Sequence, residues 1–130
     1  YGIAAVIDVM TAQGEGHVVN VSSLYANHTH AGVGIYSATK AGVAGMALPI
    51  ARELARFGIR CVAIAPGIFH TPMVDGMPSD VQASLAAQVP FPARLGRGDE
   101  FAELVIAIVR NAMLNGETIR LDGAIRMAPN

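Results

Sequence analysis

The chain has 130 residues, a size at which one domain forms and buries roughly two-thirds of its surface. Apolar residues make up 52% and charged residues 15%, which excludes a disordered, highly charged chain and indicates a globular one. A net charge of −1 supplies no basic field for nucleic acid or an acidic membrane surface, and a single cysteine, Cys61, excludes an internal disulfide.

From the start of the chain, Ile3, Val6, Ile7 and Met10 recur at helical spacing and predict a helix over residues 1–13. Gly14 is placed to end that helix in the left-handed conformation. The Gly14-Glu15-Gly16 run is not a dinucleotide-phosphate turn, because such a turn follows a strand and opens a helix, the reverse of the order here. His17 to Val21 is rich in β-branched residues and reads as a buried parallel strand ending on a serine pair, Ser22-Ser23. Residues 24–35 read as a loop in which Asn27-His28-Thr29-His30 forms a polar rim of a substrate mouth. No Cys, Asp or Glu in that loop completes a ligand set with the two histidines, so no metal is expected. Tyr25 in the same loop reads as packing.

A helix is expected from Tyr36 to Phe57, dense in small residues (Ala38, Ala41, Gly42, Ala44, Gly45, Ala47, Ala51) that let another helix or a sheet approach closely. Pro49 should kink it mildly, since it lacks the N–H that would bond the Gly45 carbonyl, and Gly58 should end it. The longest uncharged helical stretch, Ala41 to Ala51, is too short to span a bilayer. With no charged and then apolar leader pattern at the start, the expectation is a soluble protein of a reducing compartment: the cytoplasm, or the mitochondrial matrix in a eukaryote.

Ile59 to Ala65 reads as a second buried strand, with Cys61 a buried thiol inside it. Pro66-Gly67 breaks that strand at the carboxyl edge of the sheet, where open α/β sheets bind ligands. Pro72, Pro78, Pro90 and Pro92 then bracket a helix, Ser79 to Ala87, with Ser79 and Asp80 as its candidate caps. A long segment of this kind over a cleft reads as a lid or substrate loop. Met73, Val74, Met77, Leu85 and Val89 give it an apolar underside suited equally to an acyl chain and to ordinary packing. Asp99-Glu100 open the last helix, which carries Phe101, Leu104, Val105, Ile108 and Val109 on one face. Asn115-Gly116 turns the chain into a final strand, Glu117 to Leu121.

The chemistry concentrates in Tyr36-Ser37-Ala38-Thr39-Lys40. Helical positions i and i+4 share a face, so this spacing puts a phenol beside an ammonium. A free tyrosine, ionising near a pH of roughly 10, is a poor proton exchanger at neutrality, and a cation held beside it favours the phenolate. Ser23 lies thirteen residues before Tyr36, and Pro66-Gly67-Ile68-Phe69-His70-Thr71 follows the next strand.

With Leu121-Asp122-Gly123 at the last strand, these motifs resemble the C-terminal half of a short-chain dehydrogenase/reductase, from about Tyr1 to Pro129. Three further stretches resemble the type 2 3-hydroxyacyl-CoA dehydrogenases within that family: Leu48-Pro-Ile-Ala-Arg52, Gln88-Val-Pro-Phe-Pro92, and residues 115–127, NGETIRLDGAIRM. The resemblance implies an α/β fold, the C-terminal portion of a Rossmann-like doubly wound parallel sheet. The chain would be a single domain holding the catalytic half, without the N-terminal nucleotide-binding half. It also implies hydride transfer between NAD or NADP and a secondary alcohol or ketone, with a 3-hydroxyacyl-CoA as candidate substrate. Tyr36 would be the acid/base. Lys40 would favour its ionised form and hold the nicotinamide ribose. Ser23 would hydrogen-bond the substrate oxygen, Ser22 being a rival whose spacing fits less well. Pro66, Gly67 and Ile68 would bring backbone against the nicotinamide, with Thr71 bonding its carboxamide. Homodimers or homotetramers are implied too.

Three departures stand against this pattern. The glycine-rich phosphate turn and the residue that chooses between NAD and NADP are not found in the sequence, the family's catalytic asparagine would fall before Tyr1, and Ala65 stands where many members have asparagine. The 130 residues alone are therefore expected to show no turnover. A truncated relative acting only as a dimerising or binding module is the alternative. A serine hydrolase using Ser23 and Lys40 lacks the G-x-S-x-G elbow, and an extended-family epimerase fits neither the short tail nor P-G-x-x-x-T.

Overall fold

A strand covered on both faces must be apolar on both, and the run Ile59-Arg-Cys-Val-Ala-Ile-Ala65 comes closest to that requirement. The computed structural model describes residues 2–28 and 31–126, and this run is the middle strand of its sheet. Strands β1 (Gly16–Val21), β2 (Ile59–Pro66) and β3 (Thr118–Leu121) pair in parallel in the order β1-β2-β3. The register sets Val18 beside Cys61, Val21 beside Ile64, and Ile64 beside Ile119. Tyr1, Thr29, His30 and Met127, which figured in the sequence reading, lie outside the described residues.

Side chains alternate across a strand, so β2 serves two layers. Val62 and Ile64 pack with Ile108 of helix α6 (Gly98–Arg110), joined by Phe101, Leu104 and Val105. The other parity, Cys61, Ala63 and Ala65, is at most 1% exposed. It is small enough for α3 (Ala47–Leu54) to press Ala47 and Ala51 against the sheet. Helices on both faces of a parallel sheet make the α/β doubly wound arrangement expected from the sequence.

β1 differs from expectation. It is parallel, as predicted, but only half-buried, and Val21 is 48% exposed. Among the described residues it has a neighbour on one side only, and α1 (Gly2–Gln13), which leads into it, has no buried residue. Gly14, at φ 73°, ends α1 as predicted.

The long helix also differs. Instead of one kinked helix from Tyr36 to Phe57, the chain forms α2 (Gly34–Gly45) and α3, meeting at Met46, then a 3₁₀ turn at Ala55–Phe57. Pro49 offers no N–H to the Gly45 carbonyl, so the ladder fails on the carbonyl's side, one turn before the proline. It resumes when the Ile50 N–H donates to the Met46 carbonyl at 3.2 Å. Gly58 closes the segment at φ 71°. Helix α2 starts before Tyr36, which places the phenol in its first turn.

The lid segment holds the predicted helix α5 (Ser79–Ala87) and a shorter α4 (Pro72–Asp75). Pro78 sits at the α5 N-cap with no side-chain bond, in place of the Ser79 or Asp80 cap expected. The side-chain cap in this region is Thr71, whose hydroxyl accepts from the Val74 N–H of α4. Arg60, the one charged residue of β2, closes the far end of α6. Its guanidinium donates to the carbonyls of Ile108 (2.9 Å), Val109 (2.7 Å), Asn111 (3.1 Å) and Leu114 (2.7 Å). A cation is favourable at the Ile108 and Val109 carbonyls because the last turn of a helix leaves its carbonyls without partners within the helix.

Candidate active site

Parallel neighbours end at one edge of the sheet, so the residues that follow β1 and β2 meet there. Ser22 and Ser23 leave β1 with different partners. Ser22 Oγ donates to the Lys40 carbonyl at 2.8 Å, tying the strand to α2. Ser23 caps the 3₁₀ turn Leu24–Ala26, its Oγ accepting from the Tyr25 N–H at 3.2 Å. A hydroxyl that accepts a main-chain N–H keeps its own proton for another acceptor. Ser23 is 7% exposed and lines a cleft of about 690 Å³.

Tyr36 and Lys40 face the same cleft from α2, as their i, i+4 spacing dictates. Lys40 Nζ donates to the Val21 carbonyl at 3.0 Å and stands 5.8 Å from the centroid of the Tyr36 ring. The phenol is 47% exposed, open to a bound reactant. On the β2 side, Pro66, Gly67, Ile68 and Thr71 complete the lining. The Gly67 N–H donates to the Leu121 carbonyl at 2.9 Å, and a Cβ at Gly67 would lie 2.8 Å from Asp122 Cα. Glycine is what lets this turn lie flat against the end of β3. All seven residues singled out in the sequence therefore line one cleft: Ser23, Tyr36, Lys40, Pro66, Gly67, Ile68 and Thr71.

Two features escaped the sequence reading. Tyr25 packs, as expected, on the cluster of Leu24, Val89 and Ile125, but it also lines the cleft. Its ring meets that of Tyr36 edge to face, centroids 5.9 Å apart and planes at 81°. Burial pushes its phenol up from the ordinary tyrosine value, and the neighbouring Tyr36 adds to that. The sequence signal was Ser23 as a cap, which fixes the residue two positions on. The second feature is a network behind the cleft, in which Arg120 grips Asp122 through Nε (2.9 Å) and its terminal nitrogen. His28 Nδ1 lies 3.2 Å from Arg120 and must accept, since a guanidinium only donates. Desolvation, then the Arg126 and Arg120 cations, hold His28 below the usual histidine value against the opposing pull of Asp122. His30, its neighbour in the metal argument, lies outside the described residues. Among the described residues no group of three His, Cys, Asp or Glu side chains is arranged to hold an ion, and no helix is long and apolar enough to cross a membrane.

Comparison with known proteins finds a matching family model and several relatives. A model of the short chain dehydrogenase family matches residues 1–82. Against 3-hydroxyacyl-CoA dehydrogenase type-2 of Bos taurus the chain is 54% identical over 114 residues, which cover 88% of this chain and 44% of that protein. Against acetoacetyl-CoA reductase of Synechocystis sp. it is 36% identical over 127 residues, 95% of this chain and 52% of the other. The crystal structure of 3-hydroxyacyl-CoA dehydrogenase type-2 from Mycobacterium avium superimposes with a TM-score of 0.91 at 38% identity, covering 98% of this chain and 52% of that one. The chain thus spans about half the length of these relatives.

Proposed function

The chain belongs to the short chain dehydrogenase family, and from that premise we propose that it supplies the acid/base half of a nicotinamide-dependent oxidoreductase acting on a 3-hydroxyacyl-CoA or a related secondary alcohol. One observation carries the reading. Ser23, Tyr36 and Lys40 converge on one cleft, and Ser22, the rival serine, lines it too but has its hydroxyl proton committed to the Lys40 carbonyl.

The donor set suits a nicotinamide and its ribose. Lys40 brings an ammonium, Thr71 keeps a hydroxyl proton beyond its cap bond, and Pro66 to Ile68 present backbone and an apolar wall. NAD or NADP, when bound, accepts or returns hydride. The protein's own part is positioning and proton movement. As phenolate Tyr36 takes the hydroxyl proton in oxidation, and as phenol it gives one back to the carbonyl oxygen in reduction. Lys40 holds the ribose hydroxyls and keeps its ammonium 5.8 Å from the centre of the Tyr36 ring. Ser23 donates its remaining proton to the substrate oxygen, orienting it and stabilising charge that develops there.

The two serines separate in an assay that follows nicotinamide absorbance with a 3-hydroxyacyl-CoA and the full-length protein. Ser23→Ala should lower kcat by about 10²–10³ with cofactor affinity unchanged. Ser22→Ala should retain most turnover and show its effect as a lower melting temperature. Ser22→Ala silencing turnover while Ser23→Ala leaves it intact would reverse the assignment.

The reading extends to assembly as a homodimer or homotetramer. Helix α2 and the start of α3 leave Ile35 (87%), Met46 (45%) and Leu48 (54%) exposed beside Gly42 and Gly45, an apolar strip with room for a close neighbour. Sedimentation of the full-length protein at micromolar concentration should show a dimer or tetramer, and a monomer alone would contradict it.

A further inference from the structure

The lining of the cleft is uneven. Met73 of α4 stands in it with 80% of its surface exposed. Tyr25, by contrast, lines it as a held ring. Its ring stands edge to face with Tyr36 on one side and backs onto Leu24, Val89 and Ile125 on the other, each of the three at most 4% exposed. A ring held between another ring and a close-packed cluster has little room to swing aside. Its position is also set from the main chain, since the Tyr25 N–H donates to Ser23 Oγ. That bond survives any change of side chain at residue 25.

A carbonyl held between Ser23 and Tyr36 has Tyr25 beside it, since the Tyr25 N–H bonds the one and its ring meets the other. The bulky, charged coenzyme arm of an acyl-CoA needs open space, so the substituent facing Tyr25 is the remaining end of the acyl chain. We infer that Tyr25 is a specificity-determining residue, a fixed wall that confines the substrate to a short acyl end. The inference rests on the dehydrogenase reading above and adds to it the size of the group accepted. Burial keeps the phenol protonated over the working range of pH, so the wall stays uncharged and apolar across most of its face.

The test measures kcat/KM of the full-length protein for acetoacetyl-CoA and for 3-oxodecanoyl-CoA, with reduced nicotinamide cofactor, in Tyr25→Ala, Tyr25→Leu and Tyr25→Phe. The ratio of the two values is independent of how much of each preparation is folded. Tyr25→Ala should move the ratio towards the longer substrate by at least about tenfold, the scale on which a hydrophobic pocket registers a change in fit. Tyr25→Leu should fall between, and Tyr25→Phe should match the unsubstituted protein. A ratio unchanged in Tyr25→Ala, or moved equally by Tyr25→Phe, would overturn the inference while leaving the dehydrogenase reading in place. An unsubstituted protein that reduces neither substrate removes the dehydrogenase reading, and this inference with it.

Discussion

Tyr36→Phe in the full-length protein is expected to lower turnover by about 10²–10⁴, the range attached to losing a positioned acid/base, with fold and cofactor affinity preserved. Phenylalanine keeps the ring that meets Tyr25 at 5.9 Å and lies 5.8 Å from Lys40 Nζ. Only the oxygen is lost. With Tyr36 47% exposed, no buried polar group is stranded by the change, so the effect should appear in kcat and not in the melting temperature. Cofactor dissociation constants and circular dichroism, measured alongside kcat, separate these outcomes. Full activity in Tyr36→Phe would end the assignment of this residue as the acid/base.

Lys40→Met is expected to cost at least about 10² in kcat/KM, with a loss of cofactor affinity that Tyr36→Phe does not share. Methionine retains most of the length of the side chain but gives up the cation and the bond to the Val21 carbonyl. Loss of the ribose contact should weaken cofactor binding. Unchanged cofactor affinity, measured beside kcat/KM, would show that Lys40 does not act on the ribose.

How much could be read from the sequence follows from how local each cause is. β2 was legible because its run is apolar on both parities, and that pattern leaves few alternatives. β1 has the same β-branched character, yet among the described residues it has a strand on one side only, and which strands lie beside it is a fact its own residues do not carry. Pro49 announced a disturbance, but the break falls at Met46 because the unpaired group is the carbonyl four residues earlier. Tyr36 and Lys40 were legible because helix geometry alone makes them neighbours. Ser22 and Ser23 could be ranked by spacing only, since the bond that commits Ser22 reaches a carbonyl 18 residues away. Arg60 passed unnoticed for the same reason: the carbonyls it closes lie 48 to 54 residues further on. Tyr25 was read as packing, which it is; that its other face borders the cleft depends on the meeting of α2 with the turn after β1.

The most direct measurement is the fate of the hydrogen on the carbinol carbon. The full-length protein is supplied with a 3-hydroxyacyl-CoA deuterated at that carbon and with oxidised nicotinamide cofactor, and the reduced cofactor is examined by mass spectrometry. Deuterium on the nicotinamide ring, with release of the 3-oxoacyl-CoA, is the result that hydride transfer predicts. Reduced cofactor free of deuterium, or none formed with this substrate or any simple secondary alcohol, would contradict it.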